Sequence, residues 1–202
     1  MYKKSYAKKE FDCWSLHYNQ SFLQPIFFKP AHQMLLKQLK DTDRKILDVG
    51  CGTGNFASQV IKFIGAEVWG LDLSEGMLSR CPKHERLHFV LGDSENLPFP
   101  ENTFDAITCT HSFHHYPNQL QAIAEMFRVL RPGGRVHIID GDPDELWGEL
   151  FYNHFIVWLE GPVRHLKSKE FKKIYEIVGF QNIEAKRHPG LLPFFMMKGT
   201  KI

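Results

Sequence analysis

Lys45-Ile46-Leu47-Asp48-Val49-Gly50-Cys51-Gly52-Thr53-Gly54-Asn55-Phe56 passes from a short apolar stretch through three alternate glycines into helical spacing. It reads as a buried strand that breaks into a glycine turn and reopens as a helix. In an open α/β sheet this arrangement offers bare backbone to a nucleotide-sized ligand. Gly50, Gly52 and Gly54 can take positive φ and, lacking Cβ, admit a ligand against the main chain. The dinucleotide fingerprint G-x-G-x-x-G, begun at Gly50, needs a third glycine where Asn55 stands. Asp48 instead sets a carboxylate just before the turn, which repels a pyrophosphate and attracts a cation. Asp72, about 20 residues past Gly50, ends the next apolar run, where an acid can accept ribose hydroxyls; dinucleotide and adenosyl ligands share that requirement.

Outward from this stretch, strand and helix alternate. Phe56, Ala57, Val60, Phe63 and Ile64 form one helical face, with Gly65 expected to stop it in the left-handed region. Strands follow at 67–71, 87–91, 104–110 and 135–140, the second helix capped by Ser74 and running through Arg80. Asn118 and Gln121 make a capping-box pattern ahead of Leu120, Ile123, Ala124, Phe127 and Leu130. Upstream, Pro30 opens a helix with Ala31, Met34, Leu35 and Leu39 inward, and the aromatic residues 1–28 form a strap or a lid. Downstream, 145–160 is a helix apolar on several sides, Ser168 caps a helix that Gly179 stops, and strands are expected at 180–186 and 191–198. Five strand–helix alternations predict an α/β, doubly wound, mostly parallel sheet.

The 202 residues suit one domain, with 1–40 as a cap, 41–140 as the ligand-binding core, 141–167 as an insertion and 168–202 as the closing helix and strands. A net charge of +2 gives no broad footprint for nucleic acid. Lys3, Lys4, Lys8 and Lys9 read as a solvated basic tail. Four scattered cysteines without a C-x-x-C pair suggest neither zinc nor a disulfide framework, and point to a reducing, cytoplasmic setting. No h-region of a signal peptide and no membrane-spanning run is read.

Asp48-Val49-Gly50-Cys51-Gly52-Thr53-Gly54 resembles the first motif of the class I S-adenosylmethionine-dependent methyltransferases. Leu71-Asp72-Leu73-Ser74 resembles the second, and Gly92-Asp93-Ser94-Glu95-Asn96-Leu97-Pro98-Phe99 the third. Phe104-Asp105-Ala106-Ile107 and Leu130-Arg131-Pro132-Gly133-Gly134 match later family patterns, so the resemblance spans about 45–140. A looser similarity is to ubiquinone and menaquinone pathway methyltransferases. The resemblance implies a seven-stranded Rossmann-like sheet with an antiparallel last strand, and S-adenosylmethionine as cofactor, leaving as S-adenosylhomocysteine. It implies that the backbone at Gly50, Gly52 and Gly54 with Asp48 meets the methionine end, and Asp72 the ribose. Leu73 would lie against adenine, Asp93 and Ser94 would hydrogen-bond to it, and Thr110 and His111 would flank the sulfonium.

Methyl transfer from a sulfonium is an in-line displacement in which positioning and water exclusion do much of the catalysis. A general base is needed only when the acceptor must lose a proton, and His114 or His115, just past the fourth strand, is placed to serve. Packing and hydrogen bonding at the pocket wall is the competing reading of both. No metal site is expected from His111, His114 and His115, since no fourth ligand lies nearby in sequence. Tyr18, Tyr116, Trp147, Phe151 and Trp158 suggest a wall for a small-molecule acceptor, aromatic or apolar. The absence of Asn-Pro-Pro-Tyr lowers DNA N-methylation. Two alternatives stay open: a protein or RNA acceptor served by a basic groove at Arg164, His165, Lys167 and Lys169, and a non-catalytic binding module.

Overall fold

β1 (Lys45–Val49) lies near the middle of a seven-stranded sheet of order β3-β2-β1-β4-β5-β7-β6 in the computed structural model. The structure describes residues 4–21, 24–161, 163–188 and 193–202, without the side chains of 5–7, 153, 155, 159 and 160. β2 (Glu67–Asp72), β3 (Leu87–Leu91), β4 (Phe104–Thr110) and β5 (Leu130–Gly141) join β1 in parallel. β7 (Phe194–Thr200) runs antiparallel between β5 and β6 (Gln181–Arg187). The order reverses at β1/β4, the switch point outside which such sheets bind ligands.

Alternation along the strands divides two cores. Leu47, Val49, Ile107, Cys109, Val136, Ile138, Phe195 and Met197 face one layer, which contains α5 (Gln119–Val129) and α8 (Ser168–Val178). Ile46, Ala106, Ile139, Phe194 and Met196 face the other, with α2 (Lys29–Leu36) and α3 (Asn55–Phe63). A period of two sending side chains to opposite faces is what a sheet covered on both sides requires.

Several local expectations shift. α3 ends at Phe63 with an extended Ile64, so Gly65 is not the left-handed stop, whereas Gly179 is, at φ 107°. Ser74 caps α4 (Glu75–Leu78) through its hydroxyl and the Met77 amide at 3.0 Å. Ser168 is the first residue of α8 rather than its cap, and its hydroxyl donates to Asp144. The 145–160 stretch is α6 (Leu146–Leu150), a π-helical run Phe151–Ile156, and α7 (Val157–Glu160). Leu191 and Leu192, expected in the last strand, lie outside the described residues.

Candidate active site

The turn after β1 takes left-handed backbone at Gly50 (φ 74°), Gly52 (54°) and Gly54 (72°), which Cβ-bearing residues avoid. A Cβ on Gly50 would fall 2.1 Å from Ser112 Oγ, and one on Gly54 2.7 Å from the Phe89 ring. Asp72, at the end of β2, shapes the turn directly: Gly52 N donates to its Oδ2 at 2.8 Å and Ser74 N to its Oδ1 at 2.9 Å. Burial raises the Asp72 carboxyl above the usual range although these amides oppose it.

Over the turn, at the C-terminal ends of the strands, opens a cavity. It is lined by Gly50, Gly52, Asp72, Leu73, Asp93, Ser94, Thr110, His111, His115, Tyr18 and Tyr116, all singled out in the sequence. Lys4, Phe11, Met77, Ser112 and Pro117 also line it and were missed. Lys4 and Phe11 belong to α1 (Lys4–Trp14). The Lys4 ammonium stands 2.6 Å from both Asp93 Oδ2 and Glu95 Oε2, so Lys4 is a bridge to the pocket wall rather than a solvated tail. Asp12 fastens the far end of α1, accepting from Ser74 Oγ at 2.5 Å and Gly76 N at 3.0 Å.

Asp48 does not line this cavity. It is 2% exposed on β1, accepts from Thr108 Oγ1 at 2.9 Å, and borders a smaller cavity with His32 and Thr53 that adjoins the first through the shared walls Tyr18, Gly50 and Thr110. Burial, with a contribution from Asp72, pushes its carboxyl up to about 7. Ile46 and Asp48 point to the α2/α3 face, opposite to Leu47 and Val49, which brings the carboxyl to the adjoining cavity. Gly54 likewise serves as the entry to α3 and not as cavity wall.

Beyond β4 the backbone is strained. His111 holds φ 47°, uncommon for a non-glycine residue and concentrated at functional sites, while its amide donates to Ile139 O at 2.9 Å. Ser112 Oγ and Tyr116 OH pair at 2.8 Å beneath Gly50, and burial raises the Tyr116 phenol well above its ordinary value. His115 lines the cavity and meets Phe11 edge-on at 4.8 Å. His114 does not: its Nδ1 stands 2.5 Å from Asp140 Oδ1. Burial alone would raise Asp140, but His114, His165 and His111 overcome it and hold the carboxyl near 2.

Trp147 and Phe151 also lie outside the cavity lining, and Trp147 and Trp158 are 63% and 79% exposed. They belong to the helical segment 146–160, whose rings reach the cavity wall only through Phe27 and His111. Phe151 stacks on Phe27 at 6.0 Å, Phe27 meets His111 edge-on at 6.3 Å, and Trp147 lies 6.1 Å from Phe151. Of the basic residues at 164–169, one is buried and two stand near acids at the surface. His165 is buried, Arg164 lies 3.7 Å from Glu170, and Lys167 lies 3.5 Å from Glu149.

Comparison with known proteins bears on this arrangement. A family model described as "Methyltransferase domain" matches residues 47–138. A demethylmenaquinone methyltransferase of Listeria welshimeri is 31% identical over 181 residues, 85% of this chain and 74% of the relative. One of Staphylococcus haemolyticus is 33% identical over 172 residues, 72% of each chain. Among solved structures, a chain of the Haloferax volcanii complex between the Trm112 methyltransferase activator and a methyltransferase superposes with a TM-score of 0.82 at 18% identity, covering 96% of both chains. A methyltransferase of Thermotoga maritima gives 0.77 at 21% identity over 96% of this chain and 99% of its own. At these identities the two structures share the fold. No helix among the described residues is long and apolar enough to cross a membrane.

Proposed function

Because the chain belongs to the class I S-adenosylmethionine-dependent methyltransferases, we propose that it methylates a small apolar or aromatic acceptor at the mouth of the cavity above the glycine turn. The observation that carries this reading is the lining of that cavity, which brings together the Gly50 and Gly52 backbone, the Asp72 and Asp93 carboxyl groups, and the rings of Phe11, His111 and His115.

The residues present suit the cofactor. Gly52 lines the cavity with its backbone, and the Tyr18 ring stands over it, 3.6 Å from where a Cβ would sit. Gly50 and Gly52 would bring backbone against the methionine part, with Asp48 beneath as a counter-charge for a cation. Asp72 would accept from the ribose hydroxyls, Leu73 would pack on adenine, and Asp93 and Ser94 would meet its edge. Thr110 and His111 would stand beside the sulfonium. When bound, the cofactor supplies a methyl group on a positively charged sulfur, so an acceptor atom forms its bond to carbon as the carbon–sulfur bond breaks. The chain's part is to align the acceptor and keep water out, with α1 across the opening and Phe27, Phe28 and His111 at the side. His115, at the wall, is the candidate to accept a proton from an acidic acceptor.

The relatives are named for demethylmenaquinone as the molecule they methylate, and the rings of Phe11, Tyr18, His111 and Tyr116 in the cavity lining suit an apolar acceptor of that kind. Among the described residues the cations Arg164 and Lys167 stand near Glu170 and Glu149, which favours the small-molecule reading over a protein or RNA acceptor. Incubation with methyl-labelled S-adenosylmethionine and fractionated cell extract tests the reading. Label is expected in the organic-soluble metabolite fraction, and label recovered only in protein or RNA sinks it.

A further inference from the structure

His114, Asp140 and His165 come from three separate stretches and meet behind the pocket wall. Asp140 Oδ1 lies 2.5 Å from His114 Nδ1 and 3.9 Å from His165 Nε2, and no side chain of the three is more than 5% exposed. The His114 and His165 rings stack at 4.2 Å and 24°, and His115, on the cavity side, lies 4.3 Å from the His114 ring. Backbone bonds tie the same pieces together. Arg164 N donates to His114 O at 3.1 Å, and Gln119 Nε2 donates to Phe113 O at 3.3 Å and Arg164 O at 2.9 Å. The loop that follows the 146–160 segment is thereby clamped to the turn bearing His115.

An ionised carboxylate buried between two imidazoles costs several kcal/mol unless a ring carries a compensating proton, so the cluster is a poor choice for mere packing. The three ligand atoms lie within 4.8 Å of one another, which raises a divalent cation as an occupant. Two features weigh against it. Nitrogen lone pairs of face-to-face rings run in nearly parallel planes and do not converge on one ion at the ~2 Å a zinc–histidine bond requires. One of those nitrogens is already in direct contact with the carboxylate.

We propose that Asp140 and His165 are positioning residues of the methyltransferase site, holding His114 and, through its ring, His115 at the acceptor end of the cavity. The proposal rests on the methyl-transfer reading above. The ionised carboxylate can only accept, so His114 Nδ1 carries a proton and donates it, which sets the tautomer and plane of that ring. His165 covers the other face, and His115 packs on the surface so formed. Asp140 and His165 do not touch the cavity themselves.

The test uses the full chain labelled with ¹⁵N-histidine, with Asp140→Asn, Asp140→Glu and His165→Asn. Proton NMR is expected to show a far-downfield ring N–H in the parent protein that Asp140→Asn removes. With the acceptor identified by labelling, Asp140→Asn is expected to lower kcat by about tenfold or more, with KM for S-adenosylmethionine and S-adenosylhomocysteine affinity within about threefold. Asp140→Glu recovers part of the loss. His165→Asn, which keeps the carboxylate pair, lowers kcat less and serves if Asp140→Asn does not fold. No downfield resonance in the parent overturns the pairing whatever the acceptor is. Wild-type kcat in both Asp140→Asn and His165→Asn overturns the positioning role and leaves methyl transfer standing. A tetrahedral cobalt(II) absorption band that His165→Asn abolishes overturns it in favour of a metal site.

Discussion

Asp48 shows how one side chain's place in a strand alters its chemistry. Legible in the sequence as the acid before the glycine turn, it is buried beside the adjoining smaller cavity, its carboxyl pushed up to about 7 by burial and by Asp72. Its folded value lies above the unfolded one, about 3.9. The folded state therefore holds the proton more tightly, and this contribution to stability is full below about pH 4 and lost as pH rises through about 7. Asp48→Asn keeps an acceptor for Thr108 and is expected to raise the ligand-free melting temperature at about pH 8 while changing it little near pH 4. If a ligand's positive charge is sensed through the turn, affinity for S-adenosylhomocysteine rises with pH across about 6–8 in the parent and is flat in Asp48→Asn. Calorimetry at the two ends of that range checks both, and equal slopes in the two proteins remove Asp48 from cofactor recognition. Asp72, Asp93 and Ser94 line the cavity above the turn, and they were legible because strand ends and tight turns are local features that local spacing reports.

Among the elements, α1 is the one whose role sequence spacing left undecided. Its aromatic content required a partner without naming one. The structure lays it over the cavity, with Lys4 on Asp93 and Glu95 at one end and Asp12 on Ser74 and Gly76 at the other. These latches join residues 62 to 91 positions apart, a range that no periodic pattern covers. Asp12→Ala releases the Gly76 amide and the Ser74 hydroxyl while leaving the sheet untouched. It is expected to speed amide exchange in α1 and to raise the dissociation rate of S-adenosylhomocysteine several-fold, by hydrogen exchange and stopped flow. An unchanged dissociation rate would mean that α1 is a strap and not a lid. The 146–160 segment is the counterpart at the acceptor side, and its wide π-helical turns, which 3.6-residue spacing does not foresee, carry Phe151 onto Phe27.

For the whole molecule, acid sensitivity is the clearest consequence of how the layers close. His32 and His137 are buried neutral, held down to about 4 and about 3, in both cases chiefly by burial. Their folded values lie below the unfolded value, about 6.5, so stability is full above that pH and falls as pH drops, by up to about 1.4 kcal/mol per pH unit for each. His137→Leu is expected to flatten the acid limb of the melting curve between about pH 6 and 4, and an unaltered limb refutes the assignment to His137. The sequence alone determined the sheet, the glycine turn and the acids at strand ends. Each depends on residues close together in the chain, whose periodicity and backbone requirements are written in their order. Only the tertiary structure decided that Asp48 is buried against Thr108, that Lys4 answers Asp93, and that His165 reaches Asp140. Those contacts depend on which face a strand presents and which loop folds back upon it, and both are settled by the packing of segments far apart in sequence.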